Sequence, residues 1–249
     1  MKPLEIKHRV IGGGEPLICV PVVEQDAQSV IREITYLSQS TADMIEWRVD
    51  AFRDFTDYNA IRSVFEAVAP LLGEKLFLYT FRTAHQGGMA QMKAEQLDDL
   101  HDLAAESGCV DLVDLEFFEE DRPLHKIKRL REMGVSVIAS HHDFEQTPSP
   151  EVMKMLLEKM CAGGADIVKL AVMPQNYKDV TAQFREENPD TPVITMSMGS
   201  LGGISRISGE TFGSCVTFGA HEKPSAPGQF AMKELRQMLD TIHASSQIQ

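Results

Sequence analysis

The residues best suited to chemistry sit at the ends of apolar runs. Lys169 lies inside Ala165-Asp166-Ile167-Val168-Lys169-Leu170-Ala171-Val172, between Gly163-Gly164 and Met173-Pro174. A short continuous apolar run bounded in this way reads as a parallel strand covered on both faces. Burial disfavours an ammonium, so a lysine there must find a partner or lose pKa. A part-neutral lysine attacks carbonyls and forms imines. A lysine at the strand's end with its head in solvent is the other reading, and this stretch alone supports both. Ser140-His141-His142-Asp143 ends another apolar run. Adjacent strand residues face opposite ways, so the two histidines do not readily chelate one ion, and no third ligand stands at a familiar spacing. One of them fits an acid and base inside a site, the other a hydrogen-bonded packing residue.

Further ionisable groups fall at similar places. Glu46, Arg48 and Asp50 alternate with Trp47 and Val49, so all three would point to one side of a strand. Arg82 ends Tyr79-Thr80-Phe81-Arg82-Thr83, and Asp114 and Glu116 share a side of their run. Asp114 and Glu116 read as a structural ion-pair layer. Gly199-Ser200-Leu201-Gly202-Gly203-Ile204-Ser205-Arg206 lacks a P-loop lysine, but its amides and Arg206 suit a carboxylate or phosphate. Ser225-Ala226-Pro227-Gly228-Gln229 reads as a mobile loop before the last helix, or as an ordinary turn.

These groups need a scaffold that gathers strand ends. Apolar strand patterns run over Leu17 to Val23, Asp43 to Val49, Lys75 to Thr83, Val110 to Phe117, Val135 to Ser140, Gly164 to Val172, Pro192 to Met198 and Ser214 to Phe218. Helical periodicity separates most of them. Asp26 and Ser149-Pro150 are helix starts. The second of these helices is expected to bury Val152, Met155, Leu156 and Met160, and the last helix Leu235, Met238, Leu239 and Ile242. This alternation predicts an α/β fold, a (β/α)8 TIM barrel forming one domain over residues 1–249, with an open doubly wound sheet as runner-up. Gly12-Gly13-Gly14 is expected to be the turn of an N-terminal hairpin closing the barrel's bottom. A barrel presents its chemistry at the C-terminal strand ends, where the ionisable groups above fall.

Composition narrows the function. A net charge of -13 over 249 residues argues against nucleic acid or an anionic membrane as partner. No apolar run is long enough to span a bilayer, and the first residues lack a signal core, so a cytoplasmic protein is expected. Cys19, Cys109, Cys161 and Cys215 have no metal-type spacing and read as free thiols.

Taken together, Glu46-Trp47-Arg48-Val49-Asp50, Thr80-Phe81-Arg82-Thr83, Ser140-His141-His142-Asp143-Phe144, Asp166-Ile167-Val168-Lys169, Met196-Ser197-Met198-Gly199, Ile204-Ser205-Arg206, Phe212-Gly213-Ser214 and Ser225-Ala226-Pro227-Gly228-Gln229 resemble, in order, the motifs of type I 3-dehydroquinate dehydratases. The likeness covers almost the whole chain. It implies a hydro-lyase of the shikimate pathway, or of quinate breakdown, that makes 3-dehydroshikimate and water from 3-dehydroquinate. It implies that Lys169 forms an imine with the ring ketone and that His142 is base and then acid in a syn elimination. Arg206, Ser225 and Gln229 would bind the carboxylate, Glu46, Arg48 and Arg82 the hydroxyls, and Met196 and Met198 would pack on the ring. No metal or organic cofactor is implied, and a homodimer is. A different Schiff-base aldolase or lyase and a non-catalytic binding relative are the alternatives. The chain departs from the pattern at Gln86, where the family usually has a glutamate near the catalytic histidine. Ser200 also replaces a commonly basic residue. The amide can orient an imidazole without adding charge, so a lower histidine pKa is expected here than in relatives with the glutamate.

Overall fold

The computed structural model describes residues 2–182, 190–222 and 224–247. The chain opens with an antiparallel hairpin, β1 (Leu4–Ile6) and β2 (Arg9–Ile11). Eight parallel strands follow: β3 (Leu17–Val22), β4 (Met44–Arg48), β5 (Leu76–Thr80), β6 (Leu112–Glu116), β7 (Ser136–Asp143), β8 (Ile167–Val172), β9 (Val193–Ser197) and β10 (Val216–Phe218). They pair in the order β10-β3-β4-β5-β6-β7-β8-β9. The Cys215 amide donates to the Val193 carbonyl at 2.8 Å, which nearly closes the ring. The helices are α1 (Ala27–Ser38), α2 (Tyr58–Val68), α3 (Ala94–Glu106), α4 (Pro123–Glu132), α5 (Pro150–Ala162), α6 (Tyr177–Ala182), α7 (Gly203–Ile207), α8 (Gly209–Phe212) and α9 (Met232–Ser246). This is the expected (β/α)8 barrel.

Alternation along each strand divides the apolar residues into two cores. Trp47, Tyr79, Val113, Val137 and Val168 face outward and pack beneath the helices against Val30, Val64, Leu100 and Ile127. Met44, Leu78, Leu112, Ile138, Ile167, Ile194 and Val216 face inward and fill the lower barrel. Ile11 of the hairpin joins this inner cluster, with Leu4 and Ile6 packed against it. The hairpin lies across the N-terminal strand ends, where Lys7 Nζ donates to the Lys75 carbonyl and to Asp111, both at 2.8 Å. It therefore plugs the bottom and leaves the C-terminal end open. Asp26 caps α1 by accepting the Ser29 amide at 2.9 Å, and Ser149 caps α5 from the Val152 amide at 3.4 Å.

Three expectations are corrected. The hairpin turns at Lys7, which takes a left-handed φ of 53°, and Gly12-Gly13-Gly14 instead link β2 to β3. On α5 the buried residues are Met153, Leu157 and Met160, whereas Val152 and Met155 are each 41% exposed. The segment Val152-Met153-Lys154-Met155-Leu156-Leu157 offers apolar residues on nearly every face, so periodicity alone does not pick the buried one. His141 points outward and meets Phe118 edge-on, 5.3 Å between ring centroids, but its Nδ1 is buried without a hydrogen-bond partner among the described residues. Its ring is a packing group, with no side-chain hydrogen bond among the described residues.

Candidate active site

Above the apolar filling, the inward positions become polar. Glu46 and Arg48 come from β4, Thr80 from β5, Asp114 and Glu116 from β6, Ser140 and His142 from β7 and Lys169 from β8. Their backbones belong to the barrel wall, so regular pairing rather than loop conformation fixes their directions. Ser140 stands beside Lys169 across the β7–β8 ladder, and His142 stands beside Ala171. Lys169, His142, Glu46, Arg48, Arg82, Gln86, Met196, Met198, Arg206, Ser225 and Gln229 all line one pocket, with an empty volume of about 490 Å³.

Lys169 is only 4% exposed, so its head does not reach solvent. Its Nζ lies 3.4 Å from Asp114 Oδ2 and 4.4 Å from the centre of the Phe218 ring. Asp114 is also engaged by Arg82 at 2.8 Å and by the Ser140 hydroxyl at 2.6 Å. Burial would raise the Asp114 carboxyl, but Arg82 and then Lys169 outweigh it and hold it below the usual range. Its negative charge is therefore shared among several donors, and none of it is committed to Lys169 alone.

His142 is set by Gln86. The Gln86 Oε1 accepts the His142 backbone N–H at 2.9 Å and lies 3.0 Å from Nδ1. The backbone donor fixes which end of the amide faces the histidine. Nδ1 must then carry the ring proton, and Nε2 holds the free lone pair. Burial first, then Arg82, Lys169, Arg48 and His141, push the imidazole well below its ordinary 6.5. His142 is consequently neutral near pH 7, the form a proton acceptor needs. Gly87, at φ 81°, admits the Phe144 ring beside this pair, where an added Cβ would lie 2.3 Å from a ring carbon.

Arg206, from α7, is 1% exposed. Its described partners are the Phe218 carbonyl at 3.4 Å, the Pro227 carbonyl at 3.1 Å and the Met196 sulfur at 3.9 Å. Its Nε is buried without a hydrogen-bond partner among the described residues. No carboxylate among the described residues pairs with it, and burial pushes its pKa down to about 10. The loop over it is held by its own amide, with the Ser225 N–H donating to Gln229 Oε1 at 2.8 Å and Gln229 Nε2 donating to Ser225 Oγ at 3.0 Å.

The other two arginines are already matched. Arg48 makes a two-bond fork to Asp50, each bond 2.8 Å. Arg82 pairs with Asp114 at 2.8 Å and Glu116 at 2.9 Å, so Asp114 and Glu116 do form the expected ion layer. Glu46 accepts from Thr80 Oγ1 at 2.8 Å. Phe218, Phe144 and Ala171 also line the pocket. The sequence reading assigned them no role, because apolar residues at strand ends look like core.

The fold and this pocket define a class: barrel proteins whose strand ends gather an amine, an imidazole and a guanidinium that no carboxylate among the described residues pairs. The model of the type I 3-dehydroquinase family matches residues 18–246. A 3-dehydroquinate dehydratase of Syntrophotalea carbinolica is 39% identical over 250 residues, covering 98% of this chain and 99% of that protein. One of Listeria innocua is 39% identical over 249 residues, with 98% and 99% covered. The crystal structure of the Clostridium difficile type I 3-dehydroquinate dehydratase, which carries covalently modified comenic acid, superposes with TM-score 0.94 at 37% identity, covering 98% of this chain and 100% of that one. The Geobacillus kaustophilus 3-dehydroquinate dehydratase gives TM-score 0.94 at 33% identity, covering 99% and 98%. The chain belongs to the type I 3-dehydroquinase family.

Proposed function

We propose that this chain dehydrates 3-dehydroquinate to 3-dehydroshikimate, with Lys169 as the imine-forming amine and His142 as the proton carrier. Lys169 Nζ attacks the ring ketone carbon, and loss of water gives a protonated imine. His142 Nε2 removes a proton from the neighbouring carbon, and the electron pair moves into the C–N system as an enamine. The enamine expels the β-hydroxyl, which takes the proton from His142 and leaves as water. Hydrolysis of the imine consumes one water, releases product and restores the amine, so the net change is one water lost. The imine supplies the electron sink for the elimination. Arg206, Ser225 and Gln229 hold the carboxylate in this reading, and Glu46, Arg48 and Arg82 meet the hydroxyls. Met196 and Met198 bracket the ring.

One observation carries the reading: Arg206, a buried guanidinium with no carboxylate partner among the described residues, lines the same pocket as Lys169. A buried cation without a counter-ion is costly unless an anion joins it, and 3-dehydroquinate brings a carboxylate and a ketone on one ring. The test is borohydride reduction in the presence of 3-dehydroquinate, followed by peptide mass spectrometry. Reduction should fix the ligand on Lys169 and nowhere else, and Lys169→Ala should show neither the adduct nor turnover. Unimpaired dehydration by Lys169→Ala would falsify the proposal. The homodimer that the family resemblance implies belongs to the same reading, and sedimentation equilibrium of the unaltered protein checks it.

A further inference from the structure

We propose that His221, Glu33 and Tyr36 form a latch that fixes the loop carrying Ser225 and Gln229, and that this latch sets substrate affinity without touching substrate. The inference rests on the reading above for Ser225 and Gln229, and adds positioning residues outside the pocket. The loop leaves β10 through Gly219 and enters α9 at Met232. Its base is stapled by two backbone bonds: the Ala220 amide donates to the Phe230 carbonyl at 2.9 Å, and the Met232 amide donates to the Ala220 carbonyl at 2.7 Å. One residue past the staple, His221 Nδ1 lies 2.7 Å from Glu33 Oε1. The same ring stacks on Tyr36 with centroids 4.0 Å apart and planes 15° from parallel. Glu33 and Tyr36 are three residues apart on α1 and so share one face of that helix. The His221 and Glu33 side chains keep only 22% and 20% of their surface exposed, which distinguishes this pair from a solvated surface contact.

The loop's other tether is in the pocket. The Pro227 carbonyl accepts from Arg206 Nη2 at 3.1 Å and from the Gly199 amide at 3.3 Å. Gly228, at φ 78°, allows this approach, since a Cβ there would lie 2.3 Å from the Gly199 carbonyl oxygen. A ligand carboxylate competes for Arg206 Nη2 and loosens that tether. The staple and the His221 latch then decide where Ser225 and Gln229 stand while the carboxylate is bound. Loss of the latch frees the first arm of the loop, so binding must order it each time.

Steady-state kinetics and hydrogen exchange test this on the full chain. Glu33→Ala and His221→Ala should each raise KM for 3-dehydroquinate roughly three- to tenfold and leave kcat within about twofold. In the ligand-free protein, both should speed amide exchange in peptides covering the loop while barrel strands stay protected. Glu33→Gln keeps an acceptor for the ring N–H and should retain a KM near that of the unaltered protein. Unchanged loop exchange in both alanine variants overturns the latch. So does faster exchange with unchanged KM, or equal loss in kcat and kcat/KM. The exchange result does not depend on the substrate's identity, so it separates failure of the latch from failure of the proposed function, which would show instead as no borohydride adduct on the unaltered protein.

Discussion

Gln86→Glu places a charge where this protein has a neutral amide. The Gln86 oxygen lies 3.0 Å from His142 Nδ1 and 2.9 Å from the backbone nitrogen, so a glutamate can keep both contacts. It then adds a negative charge about 5 Å from the centre of the imidazolium. At an effective dielectric of about 20, that interaction is worth about 3 kcal/mol, or about two pK units in favour of the charged ring. Glu119 Oε1 lies 3.5 Å from the Gln86 amide nitrogen and would repel the new carboxylate, which trims the gain. We expect His142 to rise by about one to two pK units. The sign follows directly. His142 acts as a base in its neutral form, so activity is lost as pH falls through its pKa. Raising that pKa moves the acid limb of the kcat/KM profile upward by the same amount. On acidification the variant should lose activity at a higher pH than the unaltered protein does, and it should match the unaltered protein at pH 8. The assay is the pH dependence of kcat/KM for 3-dehydroquinate, with Gln86→Ala as control for lost orientation. An acid limb that stays in place in Gln86→Glu refutes the reasoning, because a charge at that position would then not reach the ring.

Other expectations come from the same charges. Arg206→Met should raise KM by about a hundredfold through loss of the carboxylate's charged partner. The same variant should raise stability to urea by about 1 kcal/mol, since it removes a buried charge that has no counter-ion among the described residues. Asp114→Asn should do the opposite and lower stability by about 3 kcal/mol in the same measurement, because Arg82 and Lys169 lose their shared carboxylate. His101 is buried with neither ring nitrogen partnered among the described residues, and burial, followed by Lys126, pushes its pKa to about 4 from 6.5. The unfolded chain takes up this proton near pH 6.5 and the folded chain only near pH 4, so stability falls with acidification across that window, by up to about 3 kcal/mol. His101→Phe should flatten that part of the stability–pH curve, and an unchanged slope would show that other groups carry it.

The sequence by itself determined the strand-and-helix rhythm, because residues facing core on a strand or helix must repeat with its period. It also placed Lys169 inside an apolar run, leaving open whether its head is buried or in solvent, and placed ionisable groups at one end of successive strands; the 4% exposure of Lys169 was decided by the fold. Motif order then tied His142, Arg206 and Ser225 to roles that their spacing could not supply. Tertiary structure alone decided which charges are already matched. Arg48, Arg82 and Arg206 look alike as residue types, yet Arg48 and Arg82 have carboxylate partners and Arg206 has none among the described residues. Asp114 and Lys169 are 55 positions apart and meet only because β6 and β8 both turn those residues into the barrel. The buried face of α5 and the outward turn of His141 were likewise settled by packing, whereas the contact of Gln86 with His142 was expected from the family resemblance. The physical reason is common to all of these. Periodicity is a local property, fixed by backbone geometry within a few residues. Charge compensation and burial depend on which distant side chains share a volume, and closure of the barrel sets that.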